Sequence, residues 1–171
     1  MKRGLLVLIV LISVTAVAGV RNYVRRDTVM YVAGNEVAFI RFGAVYENGA
    51  VKSWVKKGEP TLYASPSEEI VNGRIMDYSS FSPTGEVRNG FIRVAVYGTI
   101  KKADLSSTFQ DATMQYEDLY YEKCGSCHRA VSLGRYSKRQ WYGILTSMQS
   151  HAGLSPHEID SLYRYIILNK E

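Results

Sequence analysis

Cys124-Gly-Ser-Cys127-His128 is the stretch of this chain whose residue types and spacing point most directly to chemistry. There are two cysteines and three histidines in 171 residues, and both cysteines and one histidine fall in these five consecutive positions. Two thiols separated by two residues match the spacing of the two vinyl groups of a haem, to which they add as thioethers. The residue that follows places an imidazole beneath the iron. The expectation is therefore one covalently bound haem c, with Cys124 and Cys127 as its attachment points and His128 as a ligand to the metal. Other uses of such a motif fit less well. A structural zinc site needs four nitrogen or sulfur ligands, and there is no second cysteine pair. A thioredoxin-like CxxC opens a helix after a strand in a βαβ pattern, whereas here a helical pattern precedes the motif. A plain disulfide leaves His128 without a role.

A second axial position is open to Met148, His151 or His157. Met148 lies seven residues after Trp141, about two helical turns on, so the two share a face with Ile144 and Leu145 between them. A methionine in an apolar stripe is commonly core filler. A haem, however, needs a sixth ligand or an open site, and Met148 is the methionine of this region beyond the motif. It is the expected second ligand, with His151 as runner-up, while His157 falls in the first turn of the last helix. A His/Met pair raises the reduction potential and fills both axial positions, which favours an electron carrier and not an enzyme.

The elements that position these residues can be read from their periodicity. From Met114 onward the spacing is helical, with Tyr116, Leu119 and Tyr120 leading into Cys124. Ser137-Lys-Arg-Gln140 and Ser155-Pro-His-Glu158 are capping boxes, each predicting a helix start. Gly153 is a natural stop between them. Residues 27–105 read as β. Thr28–Ala33 and Glu36–Arg41 flank Gly34-Asn35, and Ala44–Tyr46 and Val51–Val55 flank Asn48-Gly49; both are hairpin signals. Thr61–Ala64, Glu69–Val71 and Phe91–Tyr97 add further strands, and the set predicts a small barrel or sandwich. The Ser/Thr-rich residues 106–113 read as a linker.

Residues 1–26 read as a leader. Lys2 and Arg3 precede an apolar run over residues 4–20. One reading is a signal peptide cleaved near Ala18; the other is a short membrane anchor. Either way the body is exported. Five of the 21 basic residues lie in these 26 positions, which contain no acid, and the other 16 balance the 16 acids. The basic pI thus belongs to the leader, and no nucleic-acid partner is expected. Between Lys123 and His151 there is no acid, while Lys123, Arg129, Arg135, Lys138 and Arg139 are basic. That run is either a solvated face or a docking surface for an acidic partner.

Leu119-Tyr120-x-x-x-Cys124-x-x-Cys127-His128, with Glu158–Ile166 near the end, resembles a class I c-type cytochrome. Gln140-Trp141-x-Gly143-x-x-x-x-Met148 resembles the C-terminal monohaem region of the pentahaem cytochromes that serve trimethylamine N-oxide reductases. Leu62–Pro66 and Phe91–Gly98 resemble the SH3-like segment preceding that haem. The resemblance implies an α+β multidomain chain. It would comprise a signal or anchor helix, a small SH3-like β barrel over 27–105, and an all-α cytochrome c domain over 114–171. It also implies a periplasmic electron relay, fed by a membrane donor and delivering to a molybdenum N-oxide or S-oxide reductase. With one CxxCH and no tetrahaem portion, a quinol-oxidising role is not implied. Two other functions stay open: a haem-based sensor or enzyme with a labile sixth position, and a regulatory or assembly subunit of a respiratory complex.

Overall fold

The computed structural model of the chain describes residues 20–67, 69–127 and 129–170. The expected leader, up to residue 19, and His128 lie outside the described residues. Among the described residues, no helix is long and apolar enough to cross a membrane.

Among the described residues ten strands precede the helices: β1 (Arg21–Val24), β2 (Thr28–Val32), β3 (Asn35–Ile40), β4 (Val45–Glu47), β5 (Ala50–Lys56), β6 (Thr61–Tyr63), β7 (Val71–Ile75), β8 (Phe81–Arg88), β9 (Phe91–Tyr97) and β10 (Leu105–Ser106). Three of the hairpins use the same device, a two-residue turn with both φ angles positive: Ala33-Gly34 (49° and 86°), Asn48-Gly49 (53° and 74°) and Asn89-Gly90 (49° and 78°). Turns of this kind match the right-handed twist of the strands they join, and glycine adopts the second position without steric cost. The resulting registers pair Val32 with Asn35, Glu47 with Ala50, and Arg88 with Phe91.

The strands form one antiparallel sheet in the order β10-β1-β4-β5-β6-β7-β3-β2, and β9 pairs with both β5 and β8. The sheet curls until Tyr31 on β2 meets Thr99, just beyond β9, in a bridge with two backbone hydrogen bonds of 3.0 and 2.8 Å. Inside the curl lies an aliphatic core built from alternate strand positions, including Val24, Met30, Ile40, Val51, Leu62 and Val94, all fully buried.

Helices α1 (Phe109–Gly125), α2 (Lys138–Met148) and α3 (Pro156–Leu168) complete the chain. Thr108 caps α1 by accepting from the Asp111 amide at 3.1 Å. Both capping boxes form: Ser137 with Gln140 opens α2, and Ser155 with Glu158 opens α3, where Pro156 takes the first helical position.

The expected fold class, a small SH3-like barrel followed by an all-α cytochrome c domain, is corrected by this structure. The described chain is mostly β. Its sheet is larger than a small barrel because β1, β8 and β10 extend it. β1 falls at the end of the expected leader, and β10 with the first turn of α1 occupies the expected linker. The helices enclose a second apolar cluster, which takes in a residue from the sheet. Phe42, in the turn after β3, is fully buried within the helical cluster among Tyr120, Trp141, Leu162 and Ile166.

Polar groups lock the same junction. The buried Arg164 of α3 donates from Nε to the Phe42 carbonyl at 2.7 Å and from Nη2 to Asn72 Oδ1 at 3.1 Å. Its Nη1 donates to the Val71 carbonyl. Burial, and then the neighbouring Arg41, hold this guanidinium below its ordinary pKa; the three oxygens are what make the buried cation tolerable. Arg41 pairs with Asp27 at 3.3 Å and also with Asp160 of α3.

Candidate functional site

α1 ends at the cysteine motif. Ser126, the residue after the helix, keeps helical angles (φ −70°, ψ −31°), so the helical path runs on past Gly125. Positions three apart on such a path share a face, with Cβ atoms roughly 5–6 Å apart. Cys124 and Cys127 are therefore side by side, and both are free thiols. Cys124 is half-buried, and burial pushes its thiol pKa up, which makes it less reactive on its own. Cys127 is exposed.

These thiols open onto a cavity of about 320 Å³ enclosed by the end of α1, the segment after the motif, α2 and the turn leading to α3. That size lies at the lower end of small-molecule sites. Its floor is aromatic and aliphatic, formed by Tyr120, Trp141, Leu145 and Leu154, each buried. Met148 also lines the cavity and is 43% exposed. The helical phase of α2 accounts for this: Trp141, Leu145 and Met148 follow one another at four- and three-residue steps along one face. His151 lines the cavity at the start of the turn after α2. His157 is not among its lining residues; it lies exposed in the first turn of α3.

The segment after the motif is fixed by side chains reaching its carbonyls. Tyr120 donates its hydroxyl to Val131 O. Trp141 Nε1 donates to Leu133 O at 2.9 Å. Lys170 Nζ donates to Leu133 O at 3.1 Å and to Tyr136 O at 2.8 Å. Tyr136 and Trp141 meet edge to face at 5.4 Å. Burial pushes Tyr120 up to about 12, with the neighbouring Cys124 adding to the shift, so it is a hydroxyl donor at neutral pH.

Lys138 and Lys123, two basic residues of the acid-free run, meet acidic side chains from elsewhere in the fold. Lys138 bonds Glu69 at 2.9 Å, and Lys123 lies 3.8 Å from Glu158. The run is thus partly neutralised, and Lys138 also ties the start of α2 to the sheet. Sequence reasoning did not single out Phe42, Arg164 or Lys170. Their partners are backbone carbonyls or packed rings distant in the chain, which leave no local pattern.

Among curated proteins, the cytochrome c-type protein TorY of Haemophilus influenzae is 24% identical over 76 residues. The chain is similar to a c-type cytochrome. The match covers 44% of this chain and 21% of TorY, so the chain spans about a fifth of that relative's length. No family model matches, and no solved structure matches.

Proposed function

We propose that this chain is an exported electron-transfer cytochrome carrying one covalent haem c in the cavity between α1 and α2. In this reading Cys124 and Cys127 hold the haem through thioethers, and His128 and Met148 ligate its iron. The observation that carries it is the gathering of both free thiols and Met148 around one apolar cavity. The residues present fit the group: two neighbouring cysteines and a methionine thioether in the lining of one cavity, and aromatic and aliphatic side chains that suit a flat apolar ring.

A bound haem would supply a one-electron couple at iron. The chain's own residues set how that couple behaves. Trp141, Leu145 and Leu154 keep water from the inner face. Met148, as a neutral thioether, favours the reduced state relative to a second imidazole. Cys127 and Met148, both exposed, mark the edge at which an electron partner can approach.

Resemblance to the cytochromes of trimethylamine N-oxide reduction, together with the similarity to TorY, supports a finer reading: delivery of electrons from a membrane donor to a periplasmic molybdenum N-oxide or S-oxide reductase. Export is the expectation from residues 1–20, and it agrees with covalent haem attachment outside the cytoplasmic membrane.

The experiment is expression with the haem-attachment machinery. The haem should resist acid–acetone extraction in the full chain and be lost from Cys124→Ala/Cys127→Ala. Oxidised protein should show the weak long-wavelength band of a thioether–iron bond, and Met148→His should abolish it. A protein that exports and folds but takes up no covalent haem would overturn the reading. Reoxidation by an N-oxide reductase with its substrate then tests the partner separately.

A further inference from the structure

We propose that Lys170 is a positioning residue for the cavity, a cationic clasp that holds the segment after the cysteine motif and raises the reduction potential of the group bound there. The proposal rests on the cytochrome reading above.

Three observations lead to it. First, the tail after α3 turns back on the helix: Asn169 Nδ2 donates to Tyr165 O at 2.9 Å, and the Lys170 amide donates to Ile167 O at 3.1 Å. That turn aims the Lys170 side chain sideways instead of out along the helix axis. Second, its ammonium spans two carbonyls of the segment at once, Leu133 O and Tyr136 O. Leu133 O also accepts from Trp141 Nε1, so one carbonyl ties together the cavity floor, the segment and the tail. Third, Tyr136 and Trp141 both line the cavity. The ammonium is therefore bonded to the backbone of one lining residue, Tyr136, and shares its other acceptor with a second, Trp141.

No carboxylate among the described residues pairs with this charge; its partners there are neutral carbonyls. A fixed cation in a partly buried site disfavours the oxidised state of a nearby iron, which carries one more positive charge than the reduced state. A lysine ammonium with three donors can also bridge two carbonyls and fix their separation. Position and charge are separable, because glutamine can donate without charge and arginine can do both.

The test uses the full haem-loaded chain, with redox titration and hydrogen exchange of residues 130–136. Lys170→Gln should lower the ratio of reduced to oxidised protein at fixed ambient potential by about fivefold, with thermal stability nearly unchanged. Lys170→Met should show the same drop and also faster exchange in 130–136. Lys170→Arg should restore both. Unchanged potentials in the Gln and Met variants would overturn the charge role, and unchanged exchange in Lys170→Met would overturn the clasp. Failure of the wild-type chain to bind haem would instead count against the function proposed above, and exchange in 130–136 would still test the clasp.

Discussion

Phe42 and Tyr116 stack face to face, with ring centroids 3.6 Å apart and planes 17° from parallel. One ring belongs to the turn after β3 and the other to α1. Arg164 of α3 lies over the same Phe42 ring at 5.3 Å. The sheet thus contributes an aromatic residue to the helical core, and the helices return a cation to the sheet.

Phe42→Ala should cost about 3–5 kcal/mol, as for other fully buried aromatic residues. Because the ring is shared, sheet and helices should unfold together in urea, and the mutant should keep one transition at a lower midpoint. Two separated transitions, one reported by Trp54 on β5 and one by Trp141 on α2, would mean that the junction does not couple them.

Met148 and Leu145 give opposite expectations from one helix. Leu145 is 1% exposed and Met148 is 43% exposed. Leu145→Ala should cost about 2–5 kcal/mol of stability. In the haem-free chain Met148→Ala should cost less than about 1 kcal/mol, since much of its surface already faces water. In the haem-loaded protein Met148→Ala should open the sixth position, so that carbon monoxide binds the reduced form quickly. Slow binding equal to wild type would count against Met148 as ligand.

Gly73 and Gly58 both have positive φ, but only one is crowded. A Cβ at Gly73 (φ +155°) would lie 2.1 Å from the Phe39 carbonyl oxygen, part of the neighbouring strand's backbone. A Cβ at Gly58 (φ +84°) would meet nothing within 4 Å. Gly58→Ala should cost about 1–2 kcal/mol from backbone conformation alone. Gly73→Ala must also displace β3 from β7 and should abolish soluble expression or cost several times as much. Equal melting temperatures for the two variants would refute the steric argument.

Alkaline pH should unfold the protein in a definite window. Burial pushes Tyr116, Tyr120 and Tyr165 each up to about 12 from an ordinary value of 10.0. Above pH 10 the unfolded chain therefore binds fewer protons than the folded one, and stability falls as pH rises toward 12. Absorbance titration of tyrosinate should show these three ionising late, together with the loss of far-ultraviolet ellipticity. Phenylalanine at position 116 should flatten the stability loss. A steep loss unchanged by Tyr116→Phe would assign it to other groups.

Local chemistry made some of this legible in advance. Both capping boxes start helices where their Ser and Gln or Glu residues stand, because each box satisfies amides within four residues of chain. Asn48-Gly49 turns where expected for the same local reason. The first hairpin shifts by one residue: Ala33-Gly34 form its corner and Asn35 pairs with Val32 as the first residue of β3. β8 carried no readable signal, since Pro83 and Gly85 interrupt it and its residues are mostly exposed. β1 was hidden by Arg21 within it and by Arg25 and Arg26 just after it: their charge read as the flank of a leader, while pairing with β4 and β10 is decided by strands far away. The cysteine motif and Met148 were visible as types and spacing. The clasp and the junction were not, because a carbonyl acceptor exists at every position and so marks none.

The Arg164 lock also has a consequence for the order in which the chain can mature. The ten strands among the described residues are complete by Ser106, yet the Phe42 carbonyl, Val71 carbonyl and Asn72 amide wait for Arg164 on α3, the last of the three helices. Contact order at this seam is high, so a chain emerging N-terminus first holds a nearly finished sheet with an unsealed aromatic at its surface. Truncation of even the last two turns should therefore be felt first as aggregation of an otherwise well-formed sheet, not as loss of strands.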